Sequence, residues 1–353
     1  MNGNNQLVKH LYSYSSTKNN EVVMGASKFP ILRNDIDMKN AKLYLMEGYD
    51  SNLSQEYFKK YNPMYDAMIK NKSPETTLRD ALGGSKIVGW IGILEDLTLL
   101  SLNKFRKETY HLRAQKHNGV IFLEKRSSVD NCKPCGKGEY IGRVEYMRQV
   151  GYMNHYFKHC MTTTPDESIK NDKLVDTTHG FYNAQTMDFS DGVQSIRFFY
   201  VSTVNALKEK DSKKFILIKT HVGATNTTDS KFYGDKGIAY WARCYFGGIE
   251  EMVLGLKKYI KRGVTPTEIY ATQTKNADQF KDKCQIDTDG AMKYIAKVFI
   301  RLNSQFDDPN ITSIDMLIGK DGENKTKIVD FEPSSLNSIP LPEKFIAAFP
   351  KED

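Results

Sequence analysis

The chain has 353 residues, of which 40% are hydrophobic, 26% charged and 11% aromatic. This composition excludes an intrinsically disordered chain. Lys and Arg outnumber Asp and Glu by 50 to 43, for a net charge of +7, which permits an acidic or nucleic-acid partner without requiring one. No apolar run approaches the roughly 18 residues that a membrane-spanning helix needs.

The cysteines and the first residues bear on the cellular compartment. Five cysteines, an odd number, stand at Cys132, Cys135, Cys160, Cys244 and Cys284, which fits a reducing compartment better than a framework of disulfides. The first twenty residues lack the apolar stretch of a secretory signal. We therefore expect a soluble intracellular protein, in the cytosol or the nucleus.

The length and the polarity of the two ends predict the domain organisation. We expect one domain over residues 26–349, because mixed folds of this length often form a single unit with a substantial core. A polar arm over 1–25 precedes this domain and a tail over 350–353 follows it. The arm and the proline-containing segment EPSSLNSIPLPEKFIAAFPKED are both predicted to be loose.

In chain order, the first strong signal is KIVGWIGILEDLTLLSL, whose apolar spacing predicts a buried helix. HNGVIFLEKR follows as a short strand, and the cysteine-bearing SSVDNCKPCGKGEY as a loop. The segment GRVEYMRQVGYMNHYFKHCM then carries Tyr146, Val150, Met153 and Phe157 at spacings of 4, 3 and 4. This period predicts a helix with one apolar face.

The segment FFYVSTVNALKEKDSKKFILIKTH, residues 198–221, predicts a hairpin. Its linker KEKDSKK contains no apolar residue and suits a solvated turn. The two-residue period of a strand places Thr203 and Asn205 on one face of the first strand, and Leu217 and Lys219 on one face of the second. Metal-dependent nucleases fill such a layout with Asp and Glu, and here the acids are absent.

The remaining elements complete the predicted fold class. KGIAYWARCYF predicts a helix that stops at Gly247–Gly248, and EEMVLGLKKYI a strand. GAMKYIAKVFIRLNSQF predicts a helix, and SIDMLIGKDGENKTKIVDF a hairpin that turns at Asp321–Gly322. Strands and helices interleave without strict alternation, so we predict a mixed α/β (α+β) fold, with mixed sheet flanked by helices, over a doubly wound parallel sheet.

One cysteine and histidine pattern raises the possibility of zinc. Cys132-x-x-Cys135 and His155-x-x-x-His159 each have a spacing that suits a tetrahedral site, and the two histidines fall on the face opposite the apolar one. The 19 residues between Cys135 and His155 exceed the usual spacing of about 12 to 15. Because CKPCGKG is equally a Pro-Gly turn that carries thiols, free cysteines are the favoured interpretation.

Motifs of the common enzyme classes are absent from the sequence. There is no P-loop, no G-x-G-x-x-G before a helix and no G-x-S-x-G elbow. KDGENK is similar to a nucleotidyltransferase lysine motif, but its place in a predicted hairpin favours turn chemistry. These classes are therefore unsupported.

Taken in order, six segments resemble the DXO-type 5′-end RNA decapping and exonuclease family. The segments are GWIGIL, NGVIFLEK, VGYMNHYF, VSTVNAL, FILIKTH and YWARCYFGGIEEMVLGLKK. They resemble the family's W-R-G helix, its next strand, its G-Y-K-F-E helix, its hairpin with E-x-D and E-L-K, and its W-W-A-Q-S-F helix. The resemblance covers residues 28–349 and implies the fold of that family.

The resemblance also places the family's catalytic positions on this sequence. The pocket arginine falls on Ile91, the glutamate of G-Y-K-F-E on His155, and the E-x-D pair on Thr203 and Asn205. The glutamate of E-L-K falls on Leu217, its lysine on Lys219, and the glutamine of the following helix on Arg243. Of these family residues, only the lysine is kept.

The loss of the carboxylates carries a chemical expectation. Two-metal hydrolysis of a phosphodiester needs several anionic oxygen ligands, and the residues at these positions supply none. We therefore expect no catalytic residues, no cofactor and no bound metal. Lys219 and Arg243 remain as tentative RNA contacts, and two cations without metals are expected to give only general electrostatic attraction.

A DXO-like chain with these losses is similar to a degenerate branch of the family in the fly germline. The resemblance implies a nuclear, non-enzymatic adaptor that protects piRNA precursor transcripts from 5′-end processing, termination and decay. It also implies protein partners, namely Deadlock and, through Deadlock, Rhino. Weak RNA binding is compatible with this role, and no membrane is implied.

Two alternatives stay open beside the adaptor. The cleft could still hold an RNA 5′ end, which requires a basic groove that includes Lys219 and Arg243. The chain could also be an enzyme with relocated acids, for which the residues near the predicted hairpin are Asp188, Asp191, Glu209, Asp211 and Asp229. These acids are predicted to lie in loops and turns, so the relocated enzyme ranks last.

Overall fold

A computed structural model describes most of the chain. The described residues are 8–17, 20–33, 43–50, 63–104, 109–125, 137–163, 179–223, 232–258, 267–320, 326–333 and 341–350.

Two mixed β-sheets form the framework. The strands, in chain order, are Lys9–Ser16 (β1), Val22–Met24 (β2), Ile31–Leu32 (β3), Leu43–Tyr44 (β4), Ile87–Trp90 (β5), Thr109–His117 (β6), Val120–Lys125 (β7), Thr162–Thr163 (β8), Gly180–Ser190 (β9), Ser195–Val204 (β10), Ala206–Leu207 (β11), Phe215–Gly223 (β12), Ile249–Lys258 (β13), Glu268–Lys275 (β14), Ser313–Lys320 (β15) and Thr326–Pro333 (β16).

The order of the strands shows that both sheets mix parallel and antiparallel pairs. The larger sheet has nine strands in the order β16-β15-β6-β7-β5-β10-β9-β1-β2, and the smaller has seven in the order β4-β14-β13-β12-β11-β3-β8. β5 pairs in parallel with β7 and β10 in the larger sheet, and β12 pairs in parallel with β13 in the smaller one.

Helices cover the faces of the two sheets. They are Pro63–Asn71 (α1), Leu78–Ala81 (α2), Ile91–Ser101 (α3), Lys137–Met161 (α4), Gly237–Gly247 (α5), Ala277–Cys284 (α6), Thr288–Gln305 (α7) and Glu343–Ala348 (α8). The predicted mixed α/β class with helices flanking mixed sheet is therefore confirmed. Within the described residues, no helix combines the length and apolar character needed to span a bilayer.

The largest apolar core joins the two sheets through helices. It contains side chains of β10 in one sheet and β13 in the other, together with residues of α3, α5 and α7. A second core packs α1 and α8 on the other face of the nine-stranded sheet, and a third packs α4 on the other face of the seven-stranded sheet. Because α3 and α5 lie against residues of both sheets, the polar side chains of these two helices are held between them.

The predicted hairpin over residues 198–221 is wrong in its first strand. β10 belongs to the nine-stranded sheet, where it lies between β5 and β9. The chain then crosses to the seven-stranded sheet at Asn205, and the short β11 pairs with β12 across the charged turn. The sequence does not mark the crossing, because Val204, Ala206 and Leu207 on its two sides are all apolar and buried.

The apolar run KIVGWIGILEDLTLLSL is not one helix. Its first part is the strand β5, and α3 begins at Ile91. A strand buried between two parallel neighbours is apolar throughout, so its period does not distinguish it from a buried helix. The glycine at position 89 allows β5 to pack closely against α3 and β10. A Cβ there would lie 2.8 Å from Ile93 Cδ1 and 3.1 Å from Phe198 Cζ.

Several other predictions are confirmed. α5 ends at Gly248, whose φ of 59° is the left-handed conformation typical of a helix C-cap. The predicted late helix is α7, and the predicted last hairpin is formed by β15 and β16; its turn at Asp321–Gly322 lies outside the described residues. On α4, Met153 and Phe157 are buried as expected, whereas Tyr146 is exposed.

The described parts of the two chain ends make regular contacts with the rest of the fold, although the sequence predicted loose segments. β1 lies within the expected polar arm, yet it pairs with β9 and β2, and Tyr14 is buried. Near the other end, His117 Nε2 lies 2.9 Å from the Phe349 carbonyl oxygen and Asn118 Nδ2 donates to the same oxygen at 3.0 Å. Strand pairing at one end, side-chain hydrogen bonds to a backbone carbonyl at the other, and buried aromatic rings therefore hold both segments, while the boundaries at residues 26 and 349 stay a prediction.

Candidate functional site

The crossing between the two sheets depends on Asn205. Its Oδ1 accepts a hydrogen bond from the backbone N–H of Ile218 at 2.7 Å, and its Nδ2 donates to the Val204 carbonyl at 3.2 Å. The backbone N–H of Asn205 donates to the Ile216 carbonyl at 3.0 Å. The amide side chain of Asn205 thus joins β10 to β12.

Thr203 does not share the environment of Asn205. Its side chain is exposed, whereas that of Asn205 is buried. The strand β10 ends at Val204, so the two-residue alternation that placed Thr203 and Asn205 on one face stops between them. The two side chains therefore differ in exposure, and their assignment as the counterparts of the family's E-x-D pair stays a prediction.

Two further predicted positions belong to the apolar core. Leu217 on β12 is fully buried, and Ile91 at the start of α3 is 7% exposed; both are members of the core that joins the sheets. Their neighbours in that core are aliphatic and aromatic, which is the environment that their side chains require.

Arg243 and Glu95 form an ion pair between α5 and α3. Arg243 Nε lies 2.7 Å from Glu95 Oε1, and the two helices pack against each other. Glu95 lies one helical turn after Ile91 on the same face of α3, and it is buried. Burial raises the pKa of the Glu95 carboxyl, an effect that the positive charge of Arg243 opposes.

Lys219 lies on β12 near this ion pair. Lys219 and Leu217 share one face of the strand, the face of the core that holds α3 and α5. Burial lowers the pKa of the Lys219 amine well below its usual value, and the charges of Lys158 and Arg243 lower it further, while Glu95 opposes them. The charges of Lys219 and Arg243 therefore act on each other, while their role as RNA contacts stays a prediction.

Lys158 on α4 adds a third cation. Asn154 fixes α4 against β12, because its Oδ1 accepts hydrogen bonds from Thr220 Oγ1 at 2.7 Å and from the Thr220 backbone N–H at 3.3 Å. Lys158 lies one helical turn after Asn154, on the same side of α4. Burial, followed by the charge of Arg243, lowers the pKa of Lys158 to about 8.

A family model matches most of the chain. It is described as RAI1 like PD-(D/E)XK nuclease, and the match covers residues 6–345. The chain belongs to the RAI1-like nuclease family. No curated protein sequence gives a significant match to this RAI1-like chain.

Solved structures of RAI1-like proteins share the fold. Candida albicans Rai1, in complex with pU5 and Mn²⁺, superposes with a TM-score of 0.69 at 13% identity, over 97% of this chain and 95% of that one. Scheffersomyces stipitis Rai1, with (3′-NADP)⁺ and calcium, gives 0.68 at 12% identity with the same coverage. K. lactis Dxo1, with manganese, gives 0.61 at 12% identity over 95% and 92% of the two chains.

Within the RAI1-like fold, the acids of the relocated-enzyme alternative have other contacts. Asp188 pairs with Arg197 on the neighbouring strand, Nε to Oδ1 at 2.7 Å. Asp191 Oδ1 accepts the backbone N–H groups of Val193 and Gln194 in the turn between β9 and β10. Glu209 and Asp211 lie in the turn before β12; Asp229 lies outside the described residues.

Of the four residues of the zinc alternative, the two histidines are among the described residues. His155 and His159 both lie on α4, with His159 exposed and its ring 6.5 Å from that of Tyr156. Cys132 and Cys135 lie outside the described residues, so the favoured free cysteines and the zinc alternative both stay predictions. Among the residues that are described, no group of three or more His, Cys, Asp and Glu is placed to hold a metal ion.

The sequence analysis missed two residues of the site, Glu95 and Lys158. Each leaves a signal in the sequence: Glu95 is a charged residue inside the apolar run GILEDLTLL, and Lys158 is adjacent to the buried Phe157 of α4. A charged residue beside buried positions needs a partner. A charged residue in such a position therefore predicts an ion pair or a ligand of opposite charge. The sequence does not show which element supplies the partner.

Proposed function

We propose that this RAI1-like chain is a catalytically inactive member of its family that acts as a nuclear adaptor. In this proposal it serves the transcription of germline piRNA precursors and protects the transcripts from 5′-end processing, termination and decay. The pattern of substitutions resembles that of Cutoff most. The proposed role is therefore the role of Cutoff in the fly Rhino–Deadlock–Cutoff complex.

We infer the loss of catalysis from the side chains that stand at the family's metal-binding positions. Divalent metals in nuclease sites need several carboxylate oxygens. At the corresponding positions, Leu217 is a core residue, Thr203 is exposed, and the Oδ1 of Asn205 is bound to a backbone N–H. These side chains do not fit a pair of divalent metals.

The charge of the neighbouring groups supports the same conclusion. Lys219 and Arg243 fall on family positions and interact electrostatically with Lys158, and the positive charges of the three groups oppose the entry of a cation. The charge of the Glu95 carboxylate acts on both Lys219 and Arg243, and Glu95 is already paired with Arg243. One paired carboxylate offers a divalent ion too little negative charge.

A single-turnover nuclease assay tests the proposed inactivity. The full chain, in excess over RNA with a 5′ monophosphate or an incomplete cap, is incubated with Mn²⁺ or Mg²⁺, and we expect no product. The matched variants are Glu95→Gln in the cleft and Glu250→Gln on the surface. Metal-dependent cleavage that persists through repeated purification and disappears only in Glu95→Gln would contradict the proposal.

The adaptor role has a test of its own. It rests on the resemblance, which implies Deadlock as the direct partner and Rhino as the indirect one. Purified chain and Deadlock should co-elute as a stoichiometric complex in size-exclusion chromatography, and loss of the chain from germline nuclei should lower piRNA precursor transcripts. Separate elution at micromolar concentrations would remove the named partner from the proposal.

A second function, binding of an RNA 5′ end without cleavage, is favoured by a specific observation. The cleft contains three cations from three elements, where the sequence alone indicated two. Such a group attracts phosphate irrespective of any metal. The relocated enzyme is less supported, because the described acids of that alternative are engaged in an ion pair or lie in turns.

A further inference from the structure

Residues 341–350, which we call the α8 segment, lie on the face of the nine-stranded sheet that packs α1. This is the face opposite the one that packs α3 and α5. The segment sits between α1, β7 and the turn that joins β6 to β7, and we call the surface that these three elements form the α8 groove. The α8 groove is therefore separate from the candidate site between the sheets.

Two aromatic rings anchor the α8 segment in the α8 groove. Phe345 is fully buried and Phe349 is 3% exposed. The ring of Phe345 meets those of Tyr65 on α1 and Phe122 on β7 edge to face, with centroid distances of 5.1 and 5.6 Å, which is a favourable geometry for aromatic pairs. The two phenylalanines are four residues apart, about one helical turn, so both rings point into the groove.

Side-chain donors of the groove bind three consecutive carbonyl oxygens of the segment, those of Ala348, Phe349 and Pro350. Lys72 Nζ donates to the first oxygen, and His117 Nε2 lies 2.9 Å from the second. Asn118 Nδ2 donates to the second at 3.0 Å and to the third at 2.6 Å. Carbonyls at the end of a helix have no partner within the helix, and here the groove supplies the partners.

The α8 segment is held in the way that a protein holds a peptide ligand. Within the described part of the chain, no backbone–backbone hydrogen bond joins the segment to another element. Besides the rings and the carbonyl contacts, one ion pair holds it, with Lys344 Nζ 2.6 Å from Asp66 Oδ1 on α1. None of these contacts requires the segment and the groove to belong to the same chain, so the segment of another copy can make all of them.

We propose that the α8 groove is a binding site for a short helix with aromatic side chains four residues apart, and that its occupant in trans is the α8 segment of a second copy of this chain. Two copies then exchange their segments and form a twofold dimer. A second copy is favoured over an unrelated protein, because its segment has the rings, carbonyls and positive charge that fit this groove. The inference goes beyond the proposed function and does not depend on it.

Opposite charge reversals at Lys344 and Asp66 test the exchange in the full chain. Lys344→Glu sets two carboxylates against each other and Asp66→Lys sets two ammonium groups against each other, so each variant weakens the contact within its own chain. In a mixed dimer with exchanged segments, both ion pairs are restored. The double variant Lys344→Glu with Asp66→Lys restores the pair within one chain and is the matched control. Neither substitution touches the buried rings, so each variant should unfold cooperatively.

Analytical ultracentrifugation measures the association of the variants. We expect the mixture of Lys344→Glu and Asp66→Lys to dimerise at least about tenfold more tightly than either variant alone or the double variant, because the mixture alone gains two ion pairs on exchange. Equal sedimentation of the mixture and the three controls would overturn the exchange.

A fluorescein-labelled peptide of residues 341–350 tests the groove itself. It should bind the full-length Lys344→Glu chain at least about fivefold more tightly than the wild type, whose intact segment competes for the groove. A peptide with alanine in place of Phe345 and Phe349 should bind neither chain. Absence of peptide binding to both chains would overturn the groove as a binding site. Peptide binding without association of the two variants would overturn the second copy as its occupant.

Discussion

Arg243 on α5 and Glu95 on α3 lie 2.7 Å apart, Nε to Oε1, and Glu95 is almost fully buried while Arg243 keeps 32% of its side chain exposed. The pair crosses the packed surface of the two helices between the sheets. In this position Glu95 offsets the positive charge of Arg243, which otherwise acts on Lys219 and Lys158. The same contact therefore bears on stability and on the charge of the cleft.

Loss of the Glu95 carboxylate should destabilise the chain. Glu95→Ala leaves Arg243 half-buried without its partner, and we expect a loss of about 1–3 kcal/mol in the free energy of unfolding, less than for a fully buried pair because water screens the exposed part of Arg243. Denaturant unfolding measures this change. As controls, the double variant Glu95→Leu with Arg243→Met should lie close to the wild type, and Glu250→Ala, which breaks an exposed pair with Lys214, should cost under about 0.5 kcal/mol.

The stability of the chain should rise with pH above about 8 because of Lys158. Its pKa is about 8 in the folded chain against an ordinary 10.5, so between these values the unfolded chain binds a proton that the folded chain has released. Stability then increases with pH across that window, and the full penalty is present below it. In Lys158→Met this rise should shrink and stability at pH 7 should increase, as unfolding curves at pH 7, 8, 9 and 10 can show. An identical pH profile in the wild type and the variant would contradict the prediction.

A carboxylate at position 217, where the family has a glutamate, should destabilise the chain and should not produce nuclease activity. Leu217 is fully buried in the core that joins the sheets, and an unpaired buried carboxylate is among the most destabilising changes. We expect Leu217→Glu to lose more than about 3 kcal/mol, whereas Leu217→Met, which keeps the volume, should lose under about 1.5 kcal/mol. Thermal unfolding compares the two variants. A folded Leu217→Glu protein of wild-type stability would show that this position opens into the cleft.

Gly89 and Gly92 provide a matched pair of alanine substitutions three residues apart. A Cβ at Gly89 would lie 2.8 Å from Ile93 Cδ1, whereas a Cβ at Gly92 has no heavy atom within 4 Å. Gly89→Ala should therefore destabilise the chain by about 1–3 kcal/mol through overpacking. Gly92→Ala should stabilise it by up to about 1 kcal/mol, because it replaces a glycine inside a helix. Urea unfolding midpoints compare the two, and the opposite order of stability would contradict the close packing of β5 against β10.

The sequence by itself determined the elements whose signals are local. The end of α5 at Gly247–Gly248 follows from glycine in a left-handed conformation, and the face of α4 at Met153 and Phe157 follows from the helical period. The fold class and the family also follow from the order of the segments, because that order survives substitution of individual residues.

Only the tertiary structure decided what the site contains. The crossing of the chain at Asn205 places the two strands of the predicted hairpin in different sheets, and Thr203 is exposed while Asn205 is buried. Glu95 and Lys158 lie far from Lys219 in sequence, and in the folded chain the charges of both act on Lys219, while Glu95 pairs with Arg243. Electrostatic interactions depend on distance and burial in space, and neither quantity is encoded in the spacing of residues along the chain, so the charge of the cleft becomes known only when the sheets and helices are packed.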